Sequence, residues 1–371
     1  MQTRHEEPRA KVDRRWRART PDAEERRKQR WVLVVGLAVL LLVVAFPIYG
    51  FYRTYVQPPR VWAAQLDGEV VFTMGDLVKM MRVLQSASIA VGQQMDLSTA
   101  PFEVLFTMVQ NELIRQAAPQ YGIRVTQGDI EEGLRERFYP KPREGEDPPK
   151  EQLEREYQES YRRFLNQARL TDREYRQVVL LQLYRDRMRE ELGKRVPSAA
   201  DQVEVMWIRL PSDFANAQAV VQRLRDGEDF AKVAREVGGY DYYADRDRPG
   251  YVGWVPRGAF PSLDPYLFGP DESAQASQRQ ARQLQPGEIS DPISTQEGTY
   301  IVRVLQGPEF REIASERMRE RLKDVALSQW LDEEWKRRQV QVNFNSEWYA
   351  WVADQVRRSV PPTQRTPAAG G

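Results

Sequence analysis

Residues 284–305 read LQPGEISDPISTQEGTYIVRVL, and this stretch says more about the fold than any other part of the 371-residue chain. Its Pro286-Gly287 pair predicts a turn, followed by a short strand and a second turn at Glu297-Gly298. After the second turn, apolar residues alternate with other residues, as in a half-buried strand. The stretch therefore predicts a β-hairpin.

Two upstream stretches complete a three-part pattern. Residues 226–234, DGEDFAKVA, read as the end of a helix, and residues 250–258, GYVGWVPRG, read as a loop. In this order the three stretches resemble a parvulin peptidyl-prolyl isomerase, with 284–305 as its closing hairpin. The resemblance implies a small α/β domain with an antiparallel sheet.

The composition excludes several kinds of active site. The chain has no cysteine, so disulfides, thiol nucleophiles and cysteine-bound metals cannot form. Its only histidine is His5, in a polar N-terminal arm, which rules out a Ser-His-Asp triad or a histidine metal site in the folded body. Residues 1–30 carry a net charge of +5 and the rest of the chain −4, so the folded part lacks the basic surface that nucleic-acid binding needs. We expect no metal, no cofactor and no nucleic-acid partner.

An uncharged run of 22 residues occupies positions 31–52. A bilayer core about 30 Å thick needs roughly 20 apolar residues in a helix, and aromatic residues stand at both ends of the run. The alternatives are a buried core helix or a cleaved signal peptide, but the run has neither a polar face nor an evident cleavage site. We expect an uncleaved, single-pass anchor in the cell membrane. By the positive-inside rule, the basic arm stays in the cytoplasm and the bulk of the chain is extracytoplasmic.

The segment after the anchor reads as mainly helical. Residues 61–72 predict two short strands around the turn pair Asp67-Gly68. Capping boxes, each a Thr followed three residues later by Asp or Glu, predict three helix starts, at 73–76, 126–129 and 171–174. Residues 101–118 predict a further helix, and 138–158 a solvated loop leading into a charged helix.

Four short stretches of this segment resemble, in order, the N-terminal peptide-binding domain of the SurA and PrsA class of extracytoplasmic foldases: 66–73, 110–117, 121–130 and 170–175. Beyond the parvulin-like stretch, 312–339 predicts a helix and 340–344 a terminal strand. The residues of that helix expected to face inward are Met318, Leu322, Val325 and Trp330. The resemblance implies that this C-terminal segment packs back on the N-terminal domain. Trp348 and Trp351 belong either to that shared core or to a groove that binds client chains.

The predicted fold class is α+β, with one transmembrane helix, a mainly α-helical SurA-N-like chaperone domain, and an inserted parvulin α/β domain with a small antiparallel sheet. The expected domains, in chain order, are a cytoplasmic basic arm at 1–30, the anchor at 31–52, the chaperone domain at 60–200, the parvulin-like domain at 201–307, a C-terminal helix and strand packing on the chaperone domain at 308–355, and a disordered tail at 356–371.

Isomerisation of an X-Pro bond crosses a barrier of about 18–20 kcal/mol through a twisted amide. An enzyme needs an apolar pocket for the proline ring and a few fixed polar groups. The resemblance places the substrate-binding pocket at Val252, Phe260, Leu263 and Phe268. Phe260 stands where the family commonly has Met, and Leu263 where it has Phe. The alternative is that these four side chains form only the core of the domain.

The polar half of the site departs from the family pattern. The two family histidines fall on Trp207 and Tyr300, and neither side chain hydrogen-bonds through two ring nitrogens as imidazole does. The central Cys or Asp of the family falls on Asp241, or, in an ungapped match, on Tyr242 or Tyr243. The predicted catalytic positions are therefore Asp241, Tyr300 and Trp207. The alternative is a parvulin fold kept for binding alone.

The sequence thus predicts a membrane-anchored foldase that binds unfolded or nascent secreted and envelope polypeptides and isomerises their X-Pro bonds. Two alternatives remain open. One is a parvulin-fold holdase chaperone with weak or no turnover, and the other is a scaffold at the translocon.

Overall fold

The computed structural model describes residues 23–90, 95–142, 148–168, 170–211, 214–238, 241–270 and 281–359. The chain divides into two compact units, the first ending at Val61 and the second beginning at Trp62. Most of the predicted basic arm, most of the predicted tail and residues 271–280 lie outside the described residues.

The first unit contains one long helix. The helix α1 (Ala23–Phe51) runs through Pro47 and is followed by a π-helical turn, Tyr52–Val56, and a 3-10 turn, Pro58–Arg60. Its side chains in the uncharged run are exposed wherever the structure describes them. Taking only the described residues, no helix has both the length and the apolar character needed to span a membrane.

The second unit begins with a helical part, which consists of β1 (Trp62–Leu66), β2 (Glu69–Thr73), α2 (Met74–Ala90), α3 (Ala100–Ala117), α4 (Gln127–Phe138), α5 (Lys150–Ala168) and α6 (Asp172–Gly193). A sheet part follows, which consists of β3 (Ala199–Leu210), α7 (Ala217–Arg225), α8 (Phe230–Val237), β4 (Tyr251–Pro256), α9 (Asp264–Phe268), β5 (Ile293–Thr295) and β6 (Gly298–Glu312). The last described elements are α10 (Glu316–Arg337), β7 (Gln341–Val342) and α11 (Ser346–Ser359).

The three predicted capping boxes are confirmed. At the start of α6, the Thr171 hydroxyl accepts the backbone N–H of Glu174 at 3.3 Å, and the Glu174 carboxylate accepts the N–H of Thr171 at 3.0 Å. Thr126 and Asp129 form the same pair before α4, as does the third box before α2. Each box satisfies two N–H groups that a helix start leaves without an intrahelical partner.

A small three-stranded sheet joins the two ends of this unit. The strands β1 and β2 form the predicted antiparallel hairpin, and Asp67 and Gly68 have φ angles of 51° and 83°, as a two-residue type I′ turn requires. On its other edge β1 pairs with β7, in the register Ala64↔Val342. The order of the strands is therefore β2-β1-β7.

The four-stranded sheet has the order β4-β3-β6-β5, with every pair antiparallel. The strands β3 and β6 pair from Ala199↔Glu312 to Leu210↔Thr299. Alternate residues of β3 face opposite sides of the sheet. Ile208 packs with α7 and α8 on one side, and Trp207 belongs to a second apolar cluster on the other side. We call the side that carries Trp207 the site face.

The helix α10 contacts both the helical part and the sheet part. In its first turns, Met318 and Leu322 are buried in the cluster on the site face. Arg189 of α6 forms ion pairs with Glu320 at 2.7 Å and with Asp324 at 2.5 Å. The helix α10 is therefore fixed to α6 by charged side chains and to the site face by apolar ones.

Two local predictions in the sheet part are wrong. The stretch 226–234 is not the end of one helix, because α7 stops before it and α8 starts within it. Gly227 there has a left-handed φ of 95°, and the Asp229 carboxylate caps α8. The stretch 250–258 is not a loop but contains β4, whose backbone groups pair with β3.

The C-terminal segment also differs from its prediction. The helix expected at 312–339 starts later, because β6 keeps pairing with β3 as far as Glu312. The strand expected at 340–344 is only the short β7, and α11 was not predicted. Asn345 is the missed signal, since its side-chain oxygen accepts two N–H groups in the first turn of α11.

We expect Thr171→Ala to lower the free energy of unfolding by about 1 kcal/mol, because it removes the cap of α6. Urea denaturation followed by circular dichroism measures the change. Thr107→Ala is the matched control, since Thr107 is exposed in the middle of α3 and its hydroxyl bonds only to the preceding turn. An equal loss of stability in both variants would show that the capping box contributes nothing.

Candidate functional site

Trp207 and Tyr300 meet on the site face of the four-stranded sheet. In the register of β3 and β6, Arg209 lies opposite Tyr300, and Trp207 stands two residues before Arg209 on the same side. The two rings are perpendicular, with centroids 5.5 Å apart. The two positions that the resemblance assigns to the family histidines are therefore in direct contact.

Asp241 completes this pair with a hydrogen bond. Its Oδ2 accepts the indole N–H of Trp207 at 2.9 Å, and its Oδ1 accepts the backbone N–H of Tyr243 at 2.9 Å. The guanidinium of Arg209 lies 3.7 Å from Oδ2, and the Asp241 side chain is 8% exposed. The carboxylate is thus held by two donors and one nearby cation. Trp207 supplies to Asp241 an N–H donor, as an imidazole would.

The two tyrosines that follow Asp241 have different positions. Tyr243 is partly buried and packs edge-on against Phe260, with centroids 5.0 Å apart. Tyr242 is 55% exposed. The structure therefore places Asp241 and Tyr243 at the site and Tyr242 at its rim.

Tyr300 is paired with a second carboxylate. Its hydroxyl donates to Oε2 of Glu297 at 3.4 Å, and Arg321 of α10 forms an ion pair with the same Glu297. Burial raises the pKa of Tyr300 well above its ordinary value, and the charges of Glu297 and Asp241 add to the effect. The phenol is a protonated hydrogen-bond donor at physiological pH, as an ordinary tyrosine is, and the raised pKa keeps it protonated under more alkaline conditions as well.

The predicted apolar pocket lies beside these polar groups. The ring of Phe260 packs edge-on against Trp207 at 4.9 Å, and Leu263 is buried in the same cluster. Val252 and Phe268 are partly buried at its border. The structure thus brings all seven predicted site residues together, while their roles toward a substrate stay predictions.

The sequence predicted Met318 and Leu322 as inward residues of the C-terminal helix, which their burial confirms, but it did not assign them to the site and it missed Arg321 of α10. Arg321, Met318 and Leu322 reach the site face from outside the predicted domain. Glu297 was read only as a turn residue, although its carboxylate connects Tyr300 to Arg321. No local pattern marks Arg321 or the role of Glu297, because their importance comes from contacts with distant residues.

The site combines a phenol donor, a fixed carboxylate and an apolar wall. This combination suits a reaction that changes the shape and the conjugation of a bond without forming a new one, because no nucleophile is required. Among the residues that the structure describes, no group of three or more His, Cys, Asp or Glu side chains could hold a metal ion.

We expect Trp207→Phe and Asp241→Ala to be energetically coupled. Each variant breaks the same buried hydrogen bond, so a double-mutant cycle in urea should give a coupling free energy of about 1–3 kcal/mol. If the two losses of stability add to within about 0.5 kcal/mol, the indole does not hold the carboxylate. The cycle Trp254→Phe with Asp241→Ala is the control, since Trp254 of β4 lies under Arg311 instead.

Comparisons with known proteins agree with this geometry. A model of the PPIC-type PPIASE (rotamase) domain matches residues 214–306. The foldase protein PrsA of Caldanaerobacter subterraneus subsp. tengcongensis is 29% identical over 207 residues, which is 54% of this chain and 55% of that protein. The chaperone SurA of Methylococcus capsulatus is 31% identical over 116 residues, which is 31% of this chain and 22% of that protein.

A crystal structure of the peptidylprolyl isomerase PrsA from Bacillus anthracis aligns with 65% of this chain and 99% of that one, at 14% identity and a TM-score of 0.35. The chain spans about half, or less, of the length of the curated relatives named here. Beyond the matched domain, the likeness to these relatives is partial. The chain therefore contains a parvulin-type rotamase domain, of the PPIC type, in residues 214–306.

Proposed function

We propose that this chain is a membrane-anchored, extracytoplasmic foldase that binds unfolded polypeptides and catalyses cis–trans isomerisation of their X-Pro bonds. The observation that carries the proposal is the gathering of Trp207, Asp241, Phe260 and Tyr300 on one face of the sheet part, whose residues 214–306 match the rotamase domain. Clients are unfolded or nascent secreted and envelope proteins.

The chemistry follows from what a twisted amide needs. As the X-Pro bond rotates, the amide loses its conjugation. The hydrogen bonds that its carbonyl and its nitrogen favour then change. Phe260 and Leu263 supply the apolar wall for the proline ring. The protonated phenol of Tyr300 supplies a donor, and Asp241 supplies a fixed negative charge. Fixed groups of this kind stabilise a transition state without having to reorganise.

A row of aromatic rings on α3 and α10, one exposed and two partly buried, supports the binding of clients. Phe102 is 53% exposed at the start of α3 and lies 6.0 Å from Phe106 between ring centroids. Phe106 in turn stacks on Trp335 of α10 at 4.3 Å. This row of three rings offers unfolded segments an apolar surface.

The sequence supports the anchor and its orientation. The uncharged run at 31–52 matches the length of a bilayer core, and the helix α1 continues through it as far as Phe51. By the positive-inside rule, the net charge of +5 over residues 1–30 favours a cytoplasmic arm and a rotamase domain outside.

A holdase with weak or no turnover is the second candidate. The observation that favours it is the replacement of both family histidines by Trp207 and Tyr300, whose polar atoms are each bonded to a carboxylate. A scaffold at the translocon is a third, and it predicts stable membrane partners and little affinity for generic unfolded chains.

Purified full-length protein in detergent should accelerate the proline-limited refolding of an unfolded client. We expect Asp241→Ala to lower this acceleration at least about tenfold, equivalent to about 1.4 kcal/mol of transition-state stabilisation. Asp291→Asn, an exposed change in the same domain, is the matched control. If wild type does not accelerate refolding but still suppresses aggregation of the client, and Asp241→Ala does so equally well, the protein is a holdase.

The natural absence of cysteine allows the orientation to be read by labelling. We expect Gln57→Cys to react with a membrane-impermeant maleimide in intact spheroplasts and Thr20→Cys to react only after lysis. The opposite pattern would reverse the proposed topology. Labelling of both positions in intact spheroplasts would argue against a spanning helix.

A further inference from the structure

The predicted substrate pocket is closed in the structure. Trp207 and Leu263 are each 1% exposed, Tyr300 is 2% exposed and Phe260 is 3% exposed. Protein interiors are close-packed, so a proline ring can contact these side chains only by displacing the atoms already against them. A peptide therefore requires part of the present structure to move.

The helix α10 contributes two apolar side chains to the cluster that contains the pocket residues. Met318 is 2% exposed and Leu322 is 8% exposed, and both belong to the cluster on the site face. The sheet ends at Glu312, and Ser315 caps α10 through the N–H of Met318. The closing residues thus lie outside both the sheet and the segment 214–306.

Arg321 closes the polar side of the pocket. Its guanidinium lies 4.9 Å from the centroid of the Phe260 ring, a cation–π contact. Its Nε donates to the carbonyl of Ala259 at 3.0 Å, and its terminal nitrogen pairs with Glu297, the acceptor of the Tyr300 hydroxyl. One side chain from α10 therefore contacts both the apolar wall and the polar half of the site.

At the rim, Arg317 donates to the carbonyl of Tyr242 at 3.1 Å and lies 5.3 Å from the centre of its ring. On its other side, α10 is bound to α6 through Arg189 and through Lys323, whose ammonium lies 2.9 Å from Glu190. The helix is thus held between the two parts.

The connections between the two parts lie side by side. The sheet part joins the helical part through 194–198 and joins α10 through 313–315. The N–H of Ile313 donates to the carbonyl of Ser198 at 2.8 Å, which holds the two connections together. Two adjacent connections of this kind can serve as one hinge for a rigid-body rotation.

We propose that the first turns of α10, residues 316–324, are an autoinhibitory cover of the rotamase site, and that a peptide enters when the sheet part swings away from α10 about the paired connections. The proposal rests on the proposed function, since it concerns access to the same site. The apparent affinity for substrate is then the affinity of the open form multiplied by the fraction of molecules that are open. Anything that lowers the contact between α10 and the site face raises that fraction.

Turnover of a short Ala-Pro peptide by full-length protein tests the cover. Measured by exchange NMR, kcat/KM is expected to rise about tenfold in Arg321→Ala, because the open fraction increases. Arg319→Ala is the matched control on the same helix, since within the described residues the ion pair of Arg319 is with Glu316 of its own turn. Equal turnover by wild type and Arg321→Ala, in an active protein, would overturn the proposal.

A second measurement does not depend on catalysis. Because the chain has no cysteine, Met318→Cys and Ser328→Cys report the accessibility of the covered and the exposed side of α10 to a soluble maleimide. We expect Met318→Cys to react at least about a hundredfold more slowly, and adding Arg321→Ala to speed its reaction about tenfold. Thermal denaturation confirms that each variant is folded.

The two measurements separate the proposals. If no variant isomerises the peptide or accelerates refolding, but Met318→Cys is protected and Arg321→Ala removes the protection, the cover stands and the enzymatic function fails. If Met318→Cys reacts as fast as Ser328→Cys, there is no cover, whatever the turnover. If Met318→Cys stays protected after Arg321→Ala is added to it, while Arg321→Ala alone raises turnover, the substrate reaches the site by another route and the proposal is wrong.

Discussion

The long antiparallel ladder between β3 and β6 is the constraint on which the rest of the second unit depends. Its register runs from Ala199↔Glu312 to Leu210↔Thr299, so it closes a loop that contains the other elements of the sheet part. Loop closure costs entropy that grows only slowly with length, so one long ladder can offset it. The ladder also brings the two connections to the helical part side by side, which lets residues before and after the sheet part share one core.

On this ladder, the two positions that the resemblance assigns to the family histidines hold side chains whose buried polar atoms each have a carboxylate partner. The indole of Trp207 has Asp241 as its acceptor, and the phenol of Tyr300 has Glu297. A buried donor without a partner costs about 1–3 kcal/mol, so these residues form matched pairs. The pairs keep the rings fixed. They also occupy polar groups that could otherwise form hydrogen bonds to a substrate.

The contacts of α10 determine both how the core on the site face is packed and how a substrate reaches the site. Met318 and Leu322 complete the core on the site face, and Arg321 joins Phe260 to Glu297. The other side of the helix is bound to α6. A change in the packing of α10 against one part therefore changes its packing against the other part. The reason is that packed interfaces shift as units rather than deform continuously.

The sequence by itself determined whatever depends on neighbouring residues. Thr171 and Glu174 predict a capping box, Asp67-Gly68 predicts a type I′ hairpin turn, and residues 284–305 predict the closing hairpin, because the groups that interact lie within a few positions. It also placed Trp207, Asp241 and Tyr300 as one site through resemblance. Only the tertiary structure decided that Arg321 bonds to Ala259, 62 positions away, and that α10 covers the pocket. Such contacts depend on which surfaces the folded chain brings together, and a local sequence pattern contains no information about that.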